Sequence, residues 1–128
     1  MRIEQIKLSQ TGKEQLTRLK RRTGLKNWNV LCRWAFCRSL AEPTAPSPVP
    51  IPADSSVEMD WKTFAGAHGG VYMALLVQRC RRDGIDLDET GGELNTQFRL
   101  HLHRGIAYLA GDKQIQSIED LIAYACPR

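Results

Sequence analysis

Polar and apolar residues alternate along Gln5-Ile6-Lys7-Leu8, which puts Ile6 and Leu8 on one face and Gln5 and Lys7 on the other. That period of two predicts a short strand over 3–8, with Ile3 outside the strict alternation. The period then lengthens. Leu16 and Leu19 make a narrow apolar stripe in a polar segment that reads as a helix ending near Thr23. Either Ser9 or Thr11 can cap it, and Thr11 with Glu14 has the spacing of a capping box. Gly24 suits the left-handed position beyond the last turn. A second helix runs from Asn27, an N-cap residue type, to Leu40. Its apolar residues, among them Trp28, Val30, Leu31, Trp34, Phe36 and Cys37, fall all round the wheel. Such a helix must be covered on most sides, here by the C-terminal part of the chain and by a second subunit.

Prolines 43, 46, 48, 50 and 52 then exclude helix and ladder over Glu42–Pro52. The stretch reads as a spacer or surface strap rather than an SH3-type ligand. Beyond it, Asp60 caps a short helical turn over Trp61–Ala65, and Gly66, Gly69 and Gly70 punctuate the chain. A helix then carries Tyr72, Leu75, Leu76 and Cys80 to about Arg82. After an acidic loop from Asp86 to Gly92, Leu94, Phe98, Leu102, Ile106 and Leu109 recur at steps of four and three. They mark a core-facing helix over Glu93–Ala110. Ser117 and Asp120 start a last helix that ends near Ala125. The fold class expected is all-α with a short N-terminal strand, a ribbon-helix-helix-like helical domain. Within it, 1–41 form a basic segment, 42–56 a linker, and 57–128 a helical part that packs on the first segment, one domain overall.

Charge changes this picture most. The first forty residues hold ten basic side chains against Glu4 and Glu14, a net of +8, so the remainder of this +4 chain carries −4. A strongly basic module beside an acidic remainder points to a polyanionic partner, nucleic acid above all, against the plainer reading of a solvated helix face. Lys13, Arg18, Lys20, Arg21, Arg22 and Lys26 are the expected phosphate contacts, with Lys7, Arg33 and Arg2 at the margin. Such contacts give affinity without choice of sequence.

The order strand, basic helix, glycine, apolar helix resembles the ribbon-helix-helix module. There the strand pairs with its copy from another subunit, and outward side chains, here Gln5 and Lys7, meet base edges. No apolar run approaches the roughly 20 residues of a membrane-spanning helix, and MRIEQIKLSQ lacks a signal-peptide core, so a cytoplasmic protein is expected.

Other candidate chemistry is thin. Cys32, Cys37, Cys80 and Cys126 make no CxxC pair, and the first two lie where buried free thiols are the default. His68 in GAHGG precedes a helix, but it matches no phosphate-binding loop and suits a bend between helices better. His101 and His103 point about 200° apart on a helix and cannot share a metal. No cofactor, metal site or local catalytic arrangement is expected, and a non-catalytic role follows.

Three segments in order, IKLSQTGKEQLTRLKRRTGLKNWNVLCRWAFCRSL, FAGAHGGVYMALLVQR and LHRGIAYLAG, resemble the DndE family of DNA sulfur modification proteins. The resemblance spans nearly the whole chain. It implies a small subunit of the bacterial machinery that replaces a non-bridging phosphate oxygen of DNA with sulfur. In that machinery a cysteine desulfurase mobilises sulfur, which passes through an iron–sulfur partner and an ATPase-like partner. It further implies a role in engaging double-stranded DNA, other phosphorothioation proteins as partners, and a homo-oligomer, expected to be a tetramer. A preference for nicked duplex is a further expectation, since a discontinuity fits a multi-subunit surface more cheaply than rigid duplex. The readings held against this one are a ribbon-helix-helix repressor and a DNA nickase.

Overall fold

The computed structural model describes residues 3–125; Arg2 and Cys126 lie outside them. The strand expected at the start is β1 (Gln5–Lys7), with Ile6 buried and its two neighbours exposed. Its partner is β2 (Glu58–Asp60) of the same chain, antiparallel, with Gln5 opposite Asp60, Ile6 opposite Met59 and Lys7 opposite Glu58. The ribbon is therefore intramolecular, which corrects the expectation that β1 meets its copy across a subunit boundary. Val57 and Met59 bury themselves beside Ile6 and Leu8. That apolar contact holds a strand whose other residues, Glu58 and Asp60, have low strand propensity.

Helix α1 (Gln10–Thr23) is capped by Ser9, whose Oγ accepts from Gly12 N–H. Thr11 lies one residue inside the helix, so the Thr11–Glu14 capping box does not form. Position 12 is a glycine and offers no side chain to reciprocate. Asp54 Oδ1 accepts from Gln10 N–H at 2.8 Å and satisfies another free donor of the first turn. Gly24, at φ 75°, closes the helix.

Helix α2 (Trp28–Leu40) buries Leu31, Cys32, Ala35, Phe36 and Ser39. It packs chiefly on the longest helix, α5 (Gly92–Gly111). The two backbones nearly touch: a Cβ at Gly105 would stand 1.7 Å from Ala35 O, so only glycine fits there. The stripe Leu94, Phe98, Leu102, Ile106 and Leu109 faces the core as its spacing requires. Short α3 (Trp61–Ala65), capped by Asp60, adds Phe64, which meets Phe36 and Phe98 edge-on at ring separations of 5.8 and 5.0 Å. A single 3-10 turn (Gly66–His68) leads into α4 (Gly69–Arg82), and α6 (Ile118–Ala125) packs on α1 through buried Leu121.

The proline-rich stretch is a strap. Arg79 donates to the carbonyls of Leu40, Glu42 and Thr44 and pairs with Asp83 at 3.0 Å. Arg104 donates to Thr44 O and Ser39 O. Arg99 holds the far end through Ile51 O and Pro52 O, and it also reaches Lys7 O. Proline-rich backbone cannot use its own carbonyls in a ladder, and three guanidinium forks take them instead.

Candidate nucleic-acid interface

Helix α1 turns its apolar stripe, Leu16 and Leu19, inward, and Gln10, Glu14, Arg18 and Arg21 outward. Those four recur at steps of four and three, so they form one solvent-facing line. Arg18 and Arg21 stand on it side by side. Lys13, half-buried on one flank, donates from Nζ to Ser56 Oγ at 2.8 Å. Lys20, about two turns beyond on that flank, sits over the Trp28 ring at 4.0 Å. The ammonium itself lies over the ring face, so part of its charge is engaged by Trp28. Lys26 is exposed in the connection to α2.

Helix α1 has no acid in its first turn and three bases, Lys20, Arg21 and Arg22, in its last. Cations at a C-terminus oppose the helix dipole favourably, so part of this charge also serves the helix itself.

Two of the sequence-selected residues are engaged elsewhere, and a third stands opposite an acid. Arg22 Nη1 donates to Ala110 O and ties the end of α1 to α5. Arg33 Nη1 donates to Phe64 O, and the residue lines a groove with Trp34 and Tyr72 rather than joining α1. Lys7 is exposed but sits opposite Glu58. The outward face of the ribbon thus carries Lys7, Gln5, Glu58 and Asp60, a net of −1. Hydrogen bonding to the Thr63 side chain, together with the Thr63 N–H that Asp60 accepts, holds its carboxyl below the usual range. A negative face is poorly suited to enter a DNA groove. This argues against the base-reading role given to Gln5 and Lys7 when β1 is viewed alone.

Neither histidine of the HLHRG segment is free. The buried His101 ring shares a 2.9 Å hydrogen bond between Nδ1 and Ser39 Oγ. Its Nε2 is buried without a partner. Burial, with the charges of Arg104 and Arg79, pushes its pKa down to about 4. His103 is half-buried. Its Nε2 accepts from Ser9 N–H at 3.1 Å, so Nδ1 carries the proton and donates to Arg99 O at 2.8 Å. Burial lowers its pKa as well. His68 is exposed and makes no capping bond at the head of α4.

Among the thiols, burial raises Cys32 to about 12, and burial with the charge of Asp83 raises Cys80 to about 11. Cys37 is exposed, contrary to the default for an apolar helix, because it lies on the outer side of α2. That side, with Val30, Trp34 and Cys37, lines a groove of about 460 Å3 closed by Tyr72 and Ala125. Among the described residues, no group of three or more His, Cys, Asp and Glu could hold a metal ion, and no helix is long and apolar enough to cross a membrane.

One protein-family model, described as DNA sulphur modification protein DndE, matches residues 5–117. The crystal structure of DndE from Escherichia coli B7A, involved in DNA phosphorothioation modification, superposes with a TM-score of 0.70. It is 26% identical over 85% of this chain and 98% of that one. The crystal structure of a DndE glycine-to-lysine mutant involved in DNA phosphorothioation gives a TM-score of 0.65 at 24% identity, with the same shares covered, 85% and 98%. Among curated proteins, none matches the sequence.

Proposed function

The chain belongs to the DndE family of DNA sulfur modification proteins, and on that premise we propose that it is a non-catalytic subunit of the phosphorothioation machinery that holds duplex DNA by its backbone. The observation that carries this reading is the line of Arg18 and Arg21 on the solvent side of α1, flanked by Lys13, Lys20 and Lys26, with Glu14 the one acid on that line. A row of cations on one helix face neutralises phosphates and releases counterions, with little choice of sequence. Arg22 and Arg33, tied to Ala110 O and Phe64 O, and Lys7, opposite Glu58, are left out of this contact. The acids on the ribbon favour this reading over an operator-reading repressor.

The subunit works as a homo-oligomer, a tetramer, that uses the outer side of α2. The groove at Val30, Trp34 and Cys37 supports this, as do exposed Val71 and Leu75 on α4 and Ile122 on α6. Repetition of the α1 face raises affinity without new contacts and favours a duplex flexible at a nick. Other proteins of the same modification system are its partners.

The test is binding of the full chain to labelled intact and nicked duplexes of one sequence across a salt series, beside a Lys13→Glu, Arg18→Glu, Arg21→Glu variant. Steep salt dependence, tighter binding to the nicked duplex and loss of binding in the folded variant are expected. Unchanged binding by the variant removes α1 from the interface. Equal affinity for both duplexes removes the nick preference. Strand cleavage that needs a divalent metal and is lost on changing one carboxylate would make it a nickase.

A further inference from the structure

A cleft of about 650 Å3 belongs neither to the basic face nor to the apolar groove. It lies between β1 and the turn leading into α5, with Glu4 and Gln5 on one wall and Glu89, Gly92 and Asn95 on the other.

The wall at β1 is a sheet edge. Leu8 N–H donates to Val57 O and Trp61 N–H to Glu4 O, so the even-numbered residues of the strand make the bonded pairs with β2. Gln5 and Lys7 therefore direct their N–H and C=O groups to the opposite edge. Arg99 Nε reaches Lys7 O from that side and closes one end of the edge. The N–H and C=O of Gln5 and the N–H of Lys7 have no hydrogen-bond partner among the described residues. An edge of this kind is a template for a further strand.

The opposite wall adds a second unmet group. Asn95 Oδ1 is buried without a hydrogen-bond partner, and as a carbonyl oxygen it can only accept. The ionisable side chains lining the cleft are both acidic, Glu4 and Glu89, and Asp86, Asp88 and Glu93 stand in the same turn or just after it.

We propose that this cleft receives an extended, lysine- or arginine-bearing segment of a partner protein as a third strand on β1. The segment accepts from the N–H groups of Gln5 and Lys7, donates to Gln5 O and Asn95 Oδ1, and sets its cations against Glu89 and the neighbouring acids of the turn. The surface lies apart from α1, so it adds a protein-docking site to the DNA-holding role, and the two fail independently.

The experiment is titration of the 15N-labelled full chain with a capped hexapeptide of alternating lysine and valine. A glutamate–valine hexapeptide tests the charge. A lysine–proline hexapeptide keeps the charge but lacks the backbone donors of alternate residues. Amide shifts at Gln5, Lys7 and Asn95, with slowed hydrogen exchange at Gln5 and Lys7, are expected for the lysine–valine peptide alone. Gln5→Pro deletes an N–H that faces away from β2, and Glu89→Lys reverses an exposed charge. Each should weaken the peptide several-fold, and the second carries the test if the first does not fold. The α1 charge-reversal variant should bind the peptide unchanged. Equal binding of either control peptide, shifts confined to other surfaces, or protection of Gln5 and Lys7 that grows with protein concentration in the absence of peptide would overturn the proposal.

Discussion

At the scale of single residues, the groups that look chemical in the sequence prove to be fasteners. His101 keeps a neutral ring in the core, beside Ser39 and between the charges of Arg104 and Arg79, and its pKa falls from 6.5 to about 4. In the unfolded chain the same ring takes its proton near pH 6.5. Between that value and about 4 the unfolded state binds more protons than the folded one, so stability falls as the pH is lowered through this window. A shift of this size corresponds to about 3 kcal/mol at full effect. His103 is shifted in the same direction and adds to the loss. Urea midpoints measured from pH 7 to pH 4 should therefore decline, and a His101→Gln variant should show a flatter decline. An identical slope in that variant would place the acid sensitivity elsewhere. The arginines follow the same pattern. The forks of Arg79, Arg99 and Arg104 are filled by strap carbonyls. No sequence pattern announces a bond between a guanidinium and a backbone carbonyl some forty residues away.

At the scale of elements, legibility follows periodicity. The stripe of α5 and the cap of α3 at Asp60 depend on residues close in sequence, and they stand where their spacing put them. Strand β2 was not visible. Glu58 and Asp60 disfavour a strand, and the element exists because Val57 and Met59 cover Ile6 from a distance. The start of α1 shows how a tertiary bond chooses between two local options. Ser9 and Thr11 are both cap residues, but His103 accepts Ser9 N–H and Asp54 accepts Gln10 N–H, which fixes the helix start at residue 10. Removal of the cap oxygen in Ser9→Ala should cost about 1 kcal/mol. Thr11→Ala, on the exposed first turn, should cost much less. Equilibrium urea unfolding of the two variants checks this, and equal losses would mean that the Ser9 hydroxyl contributes little beyond its backbone bonds. Part of the candidate DNA site was legible for the same reason. Arg18 and Arg21 share a face by helical spacing alone, whereas the diversion of Arg22 to Ala110 and of Arg33 to Phe64 depends on where α5 and α3 pack.

At the scale of the whole molecule, charge and apolar surface are separated. The basic line lies on α1, the unfilled apolar groove on the outer side of α2, and the acidic cleft beside β1. Helix α2 is the hinge of this arrangement. Its inner side is satisfied by α5, but Trp34 and Val30 remain only half-buried, so a helix apolar all round is covered on one side within the chain. If copies of the chain meet there, DNA affinity depends on a residue that never touches DNA. A lone subunit offers one α1 face, whereas an assembly offers several at high effective concentration. Trp34→Glu sets a carboxylate in the groove and leaves α1 intact. It should lower the mass seen by sedimentation equilibrium, weaken duplex binding by at least about tenfold, and reduce the salt slope, because fewer phosphates are neutralised per complex. An unchanged mass with unchanged binding would move self-association away from α2. A reduced mass with unchanged binding would show that one α1 face suffices, and that the assembly serves something other than affinity for DNA.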